Sequence, residues 1–486
     1  FNSFKGPLPL GQPVPCFDAG MEEWSVDYIN RCCEELFPGR VECELSASKG
    51  RILKAKRAFK RGDLIFEEPP LHIAVVDENN DAFLAVQEIC NTHEDVAYKP
   101  LWYWAAFSSL TADDLQTPPK MGSLQPISKS QQKRLMCLYH EPVSEASAAV
   151  QSMVAALGLT VPPTKVEELL RLWILNCFEH SDDPEGYSAY FVSSFMSHSC
   201  KPNAIWHEGS NAVHVVRARM DIAKDDEVCI SYLSEDALMF SASHRRRSLK
   251  KTKLFICSCE RCDESYASIP ERVDRCRGFR CPYCGGSIFP PLQSETIRAE
   301  GLAKTLCPTC GHALGEHAAG LLAIEKQVRL RLQEMDEACF NKPVEDVLSQ
   351  EEVEQLEDAV GDKVCGYLGP QHWLCERLGS YLVPWYDGHG RVDQALACLE
   401  RRLGCQRQMF PWPNATRAWT MQKYCRLLLR RYRLTAQDKQ EKHCLVKKCD
   451  STQRRLLARA AFVQEEALQI LQVLFGESHR YSKRAS

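Results

Sequence analysis

Phe195-Met196-Ser197-His198-Ser199-Cys200-Lys201-Pro202-Asn203-Ala204, then Ile230-Ser231-Tyr232-Leu233, then Cys257-Ser258-Cys259-Glu260-Arg261-Cys262: on this succession the fold turns. The last stretch puts three thiols within six residues. They are close enough to share one Zn²⁺, which takes four tetrahedral ligands about 2.3 Å away, so a fourth ligand must come from elsewhere. Cys281-Pro282-Tyr283-Cys284 and Cys307-Pro308-Thr309-Cys310 complete a second set of four thiolates by themselves, in the spacing of a zinc ribbon. Gly285, Gly286 and Gly311 supply tight knuckles that turn each pair toward one ion. Both sites read as structural, because full thiolate coordination leaves no open position for substrate or water.

Outward from these motifs, residues 41–76 alternate short β-type runs with turns, as in Arg51 to Ala55, Lys60-Arg61-Gly62-Asp63 and Leu64 to Glu67. A similar phrase returns at Arg219-Met220-Asp221-Ile222-Ala223-Lys224-Asp225-Asp226-Glu227-Val228-Cys229-Ile230. The two phrases predict two hairpins of one small-sheet domain, split by an insertion over residues 77–165. Trp102, Tyr103, Trp104 and Phe107 predict a helix there, with a polar stretch over residues 111–130. From Leu321 the spacing turns helical, with Leu321, Ile324, Val328, Leu332 and Met335, then Val353, Leu356, Val360 and Val364. The C-terminal third reads as all-helical. Gly369-Pro370-Gln371-His372, Phe410-Pro411-Trp412-Pro413 and Gly476-Glu477-Ser478-His479 are degenerate copies of one helix-ending phrase. They suggest stacked helical hairpins similar to tetratricopeptide repeats, serving either as a concave binding surface or as plain helix packing.

At 486 residues, two to four domains are expected. A hydrophobic content of 44% with 26% charged residues reads as soluble and globular, and a net charge of -4 gives no basic field for nonspecific nucleic-acid binding. His244-Arg245-Arg246-Arg247 reads as a solvated helix face. No apolar run reaches bilayer length, and the opening lacks a signal-peptide plan. The numbering begins on Phe1 rather than Met, so a fragment is expected, from which a targeting segment could have been cut. The 25 cysteines cluster with metal-ligand spacing or lie singly along helices, which suits a reducing, intracellular compartment: cytoplasm, cytoskeleton or nucleus.

In this order and spacing the three opening stretches resemble the Asn-His-Ser-Cys-x-Pro-Asn motif, the closing strand with its tyrosine and the post-SET zinc loop of SET-domain protein lysine methyltransferases. Within that family the chain is most similar to the SET-and-MYND type, in which an insertion splits the sheet and a tetratricopeptide-like helical domain follows; the likeness spans nearly the whole chain. It departs in the insertion, where only Cys90, His93, Cys137 and His140 stand in place of the MYND finger's clustered ligands. No MYND finger is expected, a feature that resembles the apical complex lysine methyltransferases of protozoan parasites. The implied fold class is α+β. It comprises an N-terminal extension (1–40), a split β-rich SET core (41–76 and 166–235) around a partly helical insertion (77–165), a post-SET zinc loop (236–265), a zinc ribbon (266–320) and a C-terminal all-helical tetratricopeptide-like domain (321–486).

Carried over by position, the resemblance makes Cys200 the fourth ligand beside Cys257, Cys259 and Cys262. It gives Lys49, Gly50 and Arg51 to the loop facing the methionine end of S-adenosylmethionine, with Ile52 in place of a second glycine. Asn176, Ser194, Ser197 and His198 become cofactor contacts, Ser197 replacing an asparagine, and Phe255 the aromatic on the adenine; His198 reads equally as a structural histidine. Tyr232 is the expected catalytic residue, also touching the cofactor, and Tyr190 a second tyrosine of the lysine channel. The resemblance implies S-adenosylmethionine and two structural zinc ions. It also implies a protein substrate whose lysine enters a cleft between SET core and helical domain. Neither nucleic acid nor membrane is expected as a partner, and the oligomeric state, a homodimer included, stays open. The rival is a catalytically weak SET-fold scaffold for protein partners. Ile52 and Ser197 favour the scaffold, whereas Tyr232, Tyr190, Cys200, Pro202 and Asn203 argue for the enzyme.

Overall fold

Short runs rich in Val, Ile and Leu, cut by glycine and charged turns, fold into four strands: β1 (Val41–Ser46), β2 (Gly50–Ala55), β3 (Leu64–Glu68) and β4 (His72–Val75). The structure is a computed structural model and describes residues 25–115, 124–263, 273–292, 299–339, 342–360, 367–441 and 451–485. Two compact units emerge. The first takes the described residues up to His198, with Pro202–Ile230 and Lys250–Phe255; the second takes Ser199–Lys201, Ser231–Leu249 and the described residues from Ile256 on.

In the first unit α1 (Val26–Leu36) starts at Ser25, whose hydroxyl accepts the Tyr28 N–H. The insertion holds α2 (Asp81–Thr92), capped by Asn80, α3 (Pro100–Phe107), α4 (Lys129–Met136), opened by a Ser128/Gln131 capping box, and α5 (Ala148–Ala156). Every residue of α3 from Leu101 to Phe107 is buried, as its aromatic run predicts. Residues 116–123, within the expected polar stretch, lie outside the described residues. Next come α6 (Pro163–Asn176), β5 (Phe178–Asp182), β6 (Glu185–Ala189), β7 (Ser197–His198), β8 (Ala204–Glu208), β9 (His214–Ala218) and β10 (Cys229–Ile230). Strand orders are β1-β2, β4-β6-β5, β3-β9-β8 and β10-β7.

The hairpin expected of each similar phrase does not form, because β2 pairs with β1 and β3 with β9. Instead the two phrases pair with each other, through bridges Lys54↔Glu227 and Phe59↔Ile222 and through bonds from Ala55 N–H to Asp226 O (2.9 Å) and from Val228 N–H to Leu53 O (2.8 Å). Phe59 and Ile222, the apolar residues at the same place in each phrase, are both buried. The repeated pattern therefore records two segments facing one another across a pseudo-symmetric seam.

The second unit contains most of α7 (Ala242–Lys253), then β11 (Arg277–Arg280), β12 (Ser287–Ile288), α8 (Ala299–Ala303), α9 (His317–Ala338) and α10 (Gln350–Val360). Leu321, Val328, Leu332 and Met335 form the buried stripe of α9, and Val353 and Leu356 are buried on α10; Val364 lies outside the described residues. The all-helical reading of the C-terminal third fails at Gly369–His372, which belongs to β13 (Leu368–His372), paired antiparallel to β11. β13 is an edge strand, so Pro370 costs no interior ladder bond. Gly369 is required by closeness, since a Cβ there would sit 3.0 Å from Gly278 O. Beyond β13 the unit is helical: α11 (Trp373–Gly388), α12 (Val392–Met409), α13 (Ala415–Glu441), α14 (Ser451–Phe475) and α15 (Arg480–Ala485). Phe410 and Gly476 do end α12 and α14, the latter at φ +87°.

Candidate active site and metal centres

Cys200, Cys257, Cys259 and Cys262 come together in the second unit, their sulfurs all within 4.8 Å of one another. Cys200 Sγ lies 3.5 Å from that of Cys262 and 4.0 Å from that of Cys257. Ligands about 2.3 Å from a tetrahedral ion stand roughly 3.8 Å apart, so the donor set fits Zn²⁺. Arg245 corrects the expectation of a solvated arginine run. It is fully buried and donates through Nε to Cys200 Sγ (3.3 Å) and through Nη2 to Cys262 Sγ (3.4 Å), while Arg246 Nε reaches Cys257 O (3.1 Å). A cation at this distance offsets the excess negative charge of four thiolates on a dication.

The second cluster is built from two near-identical knuckles. Cys281 O accepts the Gly285 N–H (2.9 Å) and Cys307 O the Gly311 N–H (2.8 Å), and both glycines are left-handed, at φ +73° and +74°. Sulfur separations of 3.6 Å, Cys281 to Cys310 and Cys284 to Cys307, again suit one tetrahedral ion.

In the first unit β7 runs parallel to β10, setting Ser197 beside Cys229 and His198 beside Ile230. Asn203 staples the pair: its Nδ2 donates to Glu227 O and its Oδ1 accepts the Cys229 N–H, both at 2.8 Å. Ser197 Oγ donates to Glu227 Oε1, and the same carboxylate takes Lys49 Nζ at 2.7 and 2.9 Å. Gly50, at φ +72°, has nothing within 4 Å of where a Cβ would stand. The Arg51 guanidinium lies 5.0 Å over the Phe195 ring, and burial lowers its pKa. His198 is buried with its ring 5.9 Å from that of Phe255. Lys49, Gly50, Arg51, Ser197, His198 and Phe255 thus belong to one neighbourhood.

Of the other expected residues, Asn176, Ser194 and Tyr190 have their own hydrogen-bond partners. Asn176 Nδ2 donates to Tyr139 O and Leu172 O, both at 2.7 Å, and Ser194 Oγ to Tyr190 O at 2.6 Å. Tyr190 is buried, its hydroxyl donates to Ala212 O (2.6 Å), and burial pushes its pKa up. Tyr232 is partly buried in the second unit, in a turn where Ser231 Oγ donates to Leu233 O (2.7 Å) and accepts the Leu233 N–H (3.0 Å). Just beyond, Glu235 accepts Asn414 Nδ2 (2.9 Å) and Ala415 N–H (3.1 Å), and Asp236 accepts Thr416 Oγ1 (2.6 Å), at the start of α13.

The sequence reading passed over a buried polar group in the first unit. The Glu68 carboxylate accepts the N–H of Val192 and of Ser193 (both 2.8 Å) and the Ser193 hydroxyl (2.6 Å), and Ser193 Oγ meets His214 Nδ1 at 2.9 Å. Burial raises the Glu68 pKa and holds His214 down at about 3. The available signal was parity: two residues along a strand from buried Phe66, Glu68 points to the same face.

A family profile described as the SET domain matches residues 50–233. The chain is 36% identical over 101 residues to "Histone-lysine N-methyltransferase ASHR1" of Arabidopsis thaliana, covering 20% of each protein. It is 37% identical over 90 residues to "Protein-lysine N-trimethyltransferase SMYD5" of Homo sapiens (18% of this chain, 20% of that one). To "SET domain-containing protein SmydA-8, isoform A" of Drosophila melanogaster it is 31% identical over 125 residues, 24% of each. These matches span about a fifth to a quarter of the relatives' length. A solved SET domain of LSMT bound to lysine and AdoHcy aligns over 81% of this chain at 11% identity, with a TM-score of 0.28, too slight a likeness to bear on the fold. The chain carries a SET domain, followed by a large helical C-terminal part and accompanied by two four-cysteine clusters able to hold metal. No helix among the described residues is long and apolar enough to cross a membrane.

Proposed function

We propose that this chain is a protein-lysine N-methyltransferase that moves a methyl group from S-adenosylmethionine to a lysine side chain of a protein substrate. The observation that most supports this reading is the gathering of Lys49, Gly50, Arg51, Ser197, His198 and Phe255, from three separate segments, into one neighbourhood of the first unit. S-adenosylmethionine supplies an electrophilic methyl group on a sulfonium. Gly50, with its left-handed backbone and open side, lets the chain approach the methionine end, and Phe255 offers a ring to the adenine. Displacement at carbon is in-line and the amine must arrive deprotonated, so alignment is the main catalytic device. Tyr232 orients the amine through its hydroxyl, and Tyr190, its own hydroxyl given to Ala212, walls the lysine channel. Eight cysteines hold two structural zinc ions, which fix loops and take no part in transfer. The domain limits given above, a tetratricopeptide-like helical region and an intracellular location in cytoplasm, cytoskeleton or nucleus belong to the same proposal.

A weakly catalytic scaffold for protein partners is the second reading, favoured by the engagement of the Ser197 hydroxyl with Glu227 and the Tyr190 hydroxyl with Ala212. Calorimetric titration of the zinc-loaded protein with S-adenosylhomocysteine separates the two. Saturable binding is expected of the enzyme, whereas a folded protein that binds none would be a scaffold.

A further inference from the structure

Two departures from the SET pattern, Ile52 for a glycine and Ser197 for an asparagine, fall on segments that converge on one carboxylate. Glu227 receives Lys49 Nζ on both oxygens and the Ser197 hydroxyl on Oε1. Its backbone is fixed as well, since its carbonyl accepts Asn203 Nδ2 (2.8 Å) and it bridges Lys54 of β2. One residue therefore touches the turn that opens β2, the far end of β2 and the motif strand β7. Ile52 is a buried residue of β2, paired with Glu44, and gives the turn none of the freedom a glycine would. The pairing of Ser46 with Gly50 closes this turn, and the Lys49 amine ties it to Glu227.

We propose that Glu227 is a positioning residue for the cofactor: it clamps the Lys49–Gly50 turn to Ser197 and so does the work of the absent glycine and asparagine. The inference rests on the methyltransferase reading. The Lys49 and Glu227 side chains are 37% and 23% exposed, so as a plain surface ion pair they would contribute little to stability. A clamp is distinguished by acting on cofactor affinity far more than on folding.

The test is calorimetric binding of S-adenosylhomocysteine to the full chain and to Glu227→Gln, Lys49→Met and the double variant, with melting temperatures alongside. Each single change should weaken binding by about tenfold, and the double change should do no more than the worse single one, because both cut the same link. In methyl transfer the loss should fall on KM for S-adenosylmethionine rather than on kcat. Ser197→Asn in the Glu227→Gln background should restore part of the affinity. Unchanged affinity in Glu227→Gln, or additive losses in the double variant, would overturn the proposal. Should Glu227→Gln not fold, Lys49→Met reads the same link from its other end. A wild-type protein that binds no S-adenosylhomocysteine refutes the methyltransferase reading first and this inference with it, an outcome distinct from any change among the variants.

Discussion

Arg245 carries more of the Cys200, Cys257, Cys259 and Cys262 cluster, a candidate zinc site, than its place in a run of arginines suggests. Its guanidinium is buried and spends two donors on the sulfurs of Cys200 and Cys262. Groups that hydrogen-bond metal ligands are commonly worth about 10- to 100-fold in affinity. Arg245→Met should therefore release one zinc to a competing chelator at roughly that much lower chelator activity, while Arg247→Met should not. His214 and His72 set a second expectation. Burial, the main cause in both, holds them at about 3 and about 4, against about 6.5 in an unfolded chain. Below about pH 6.5 the unfolded state binds more protons, so these residues destabilise the first unit progressively as pH falls toward 4 and cost nothing above 7. Urea midpoints followed by tryptophan fluorescence should be lower at pH 5 than at pH 7.5, and His214→Gln should shrink the difference. A pH-independent midpoint would refute the assignment.

At the scale of elements, the segment after Tyr232 is tied to the first turn of α13 by two carboxylates. Glu235 takes Asn414 Nδ2 and the Ala415 N–H, and Asp236 takes Thr416 Oγ1. Anions at a helix N-terminus also meet the positive end of its dipole. Asn414→Ala removes a buried partner and a cap to Arg417 N–H (2.9 Å), and should cost about 1 kcal/mol in chemical denaturation. Elements whose signal is local were legible in sequence: the spacing of α9, the aromatic run of α3, the paired cysteine knuckles. β13 was not, because Leu-Gly-Pro-Gln-His has little strand propensity and owes its form to β11, a partner some ninety residues away in the chain. The two similar phrases predict a hairpin each, yet they pair with one another, since period and composition do not say which strand a strand will meet.

For the molecule as a whole, the cysteines carried the organisation. Both four-thiol sets, including Cys200 from a distant motif, assemble as their spacing and the SET resemblance implied. Metal analysis of the reducing-buffer protein should find two zinc ions per chain, falling to one in Cys257→Ser and one in Cys281→Ser. What stayed hidden were charges serving other residues, Glu227 against the Lys49–Gly50 turn and Arg245 against the thiols, because a charged residue in a turn or a basic run carries no sequence mark of its partner. The most direct test of methyl transfer is incubation of the zinc-loaded chain with methyl-labelled S-adenosylmethionine and a protein extract. The label is located by mass spectrometry, and a Tyr232→Phe variant is run in parallel. Label on lysine, reduced by roughly a hundredfold or more in the variant while S-adenosylhomocysteine binding persists, is the predicted result; a folded wild-type chain that labels no lysine, or a variant that labels as well as wild type, would contradict it.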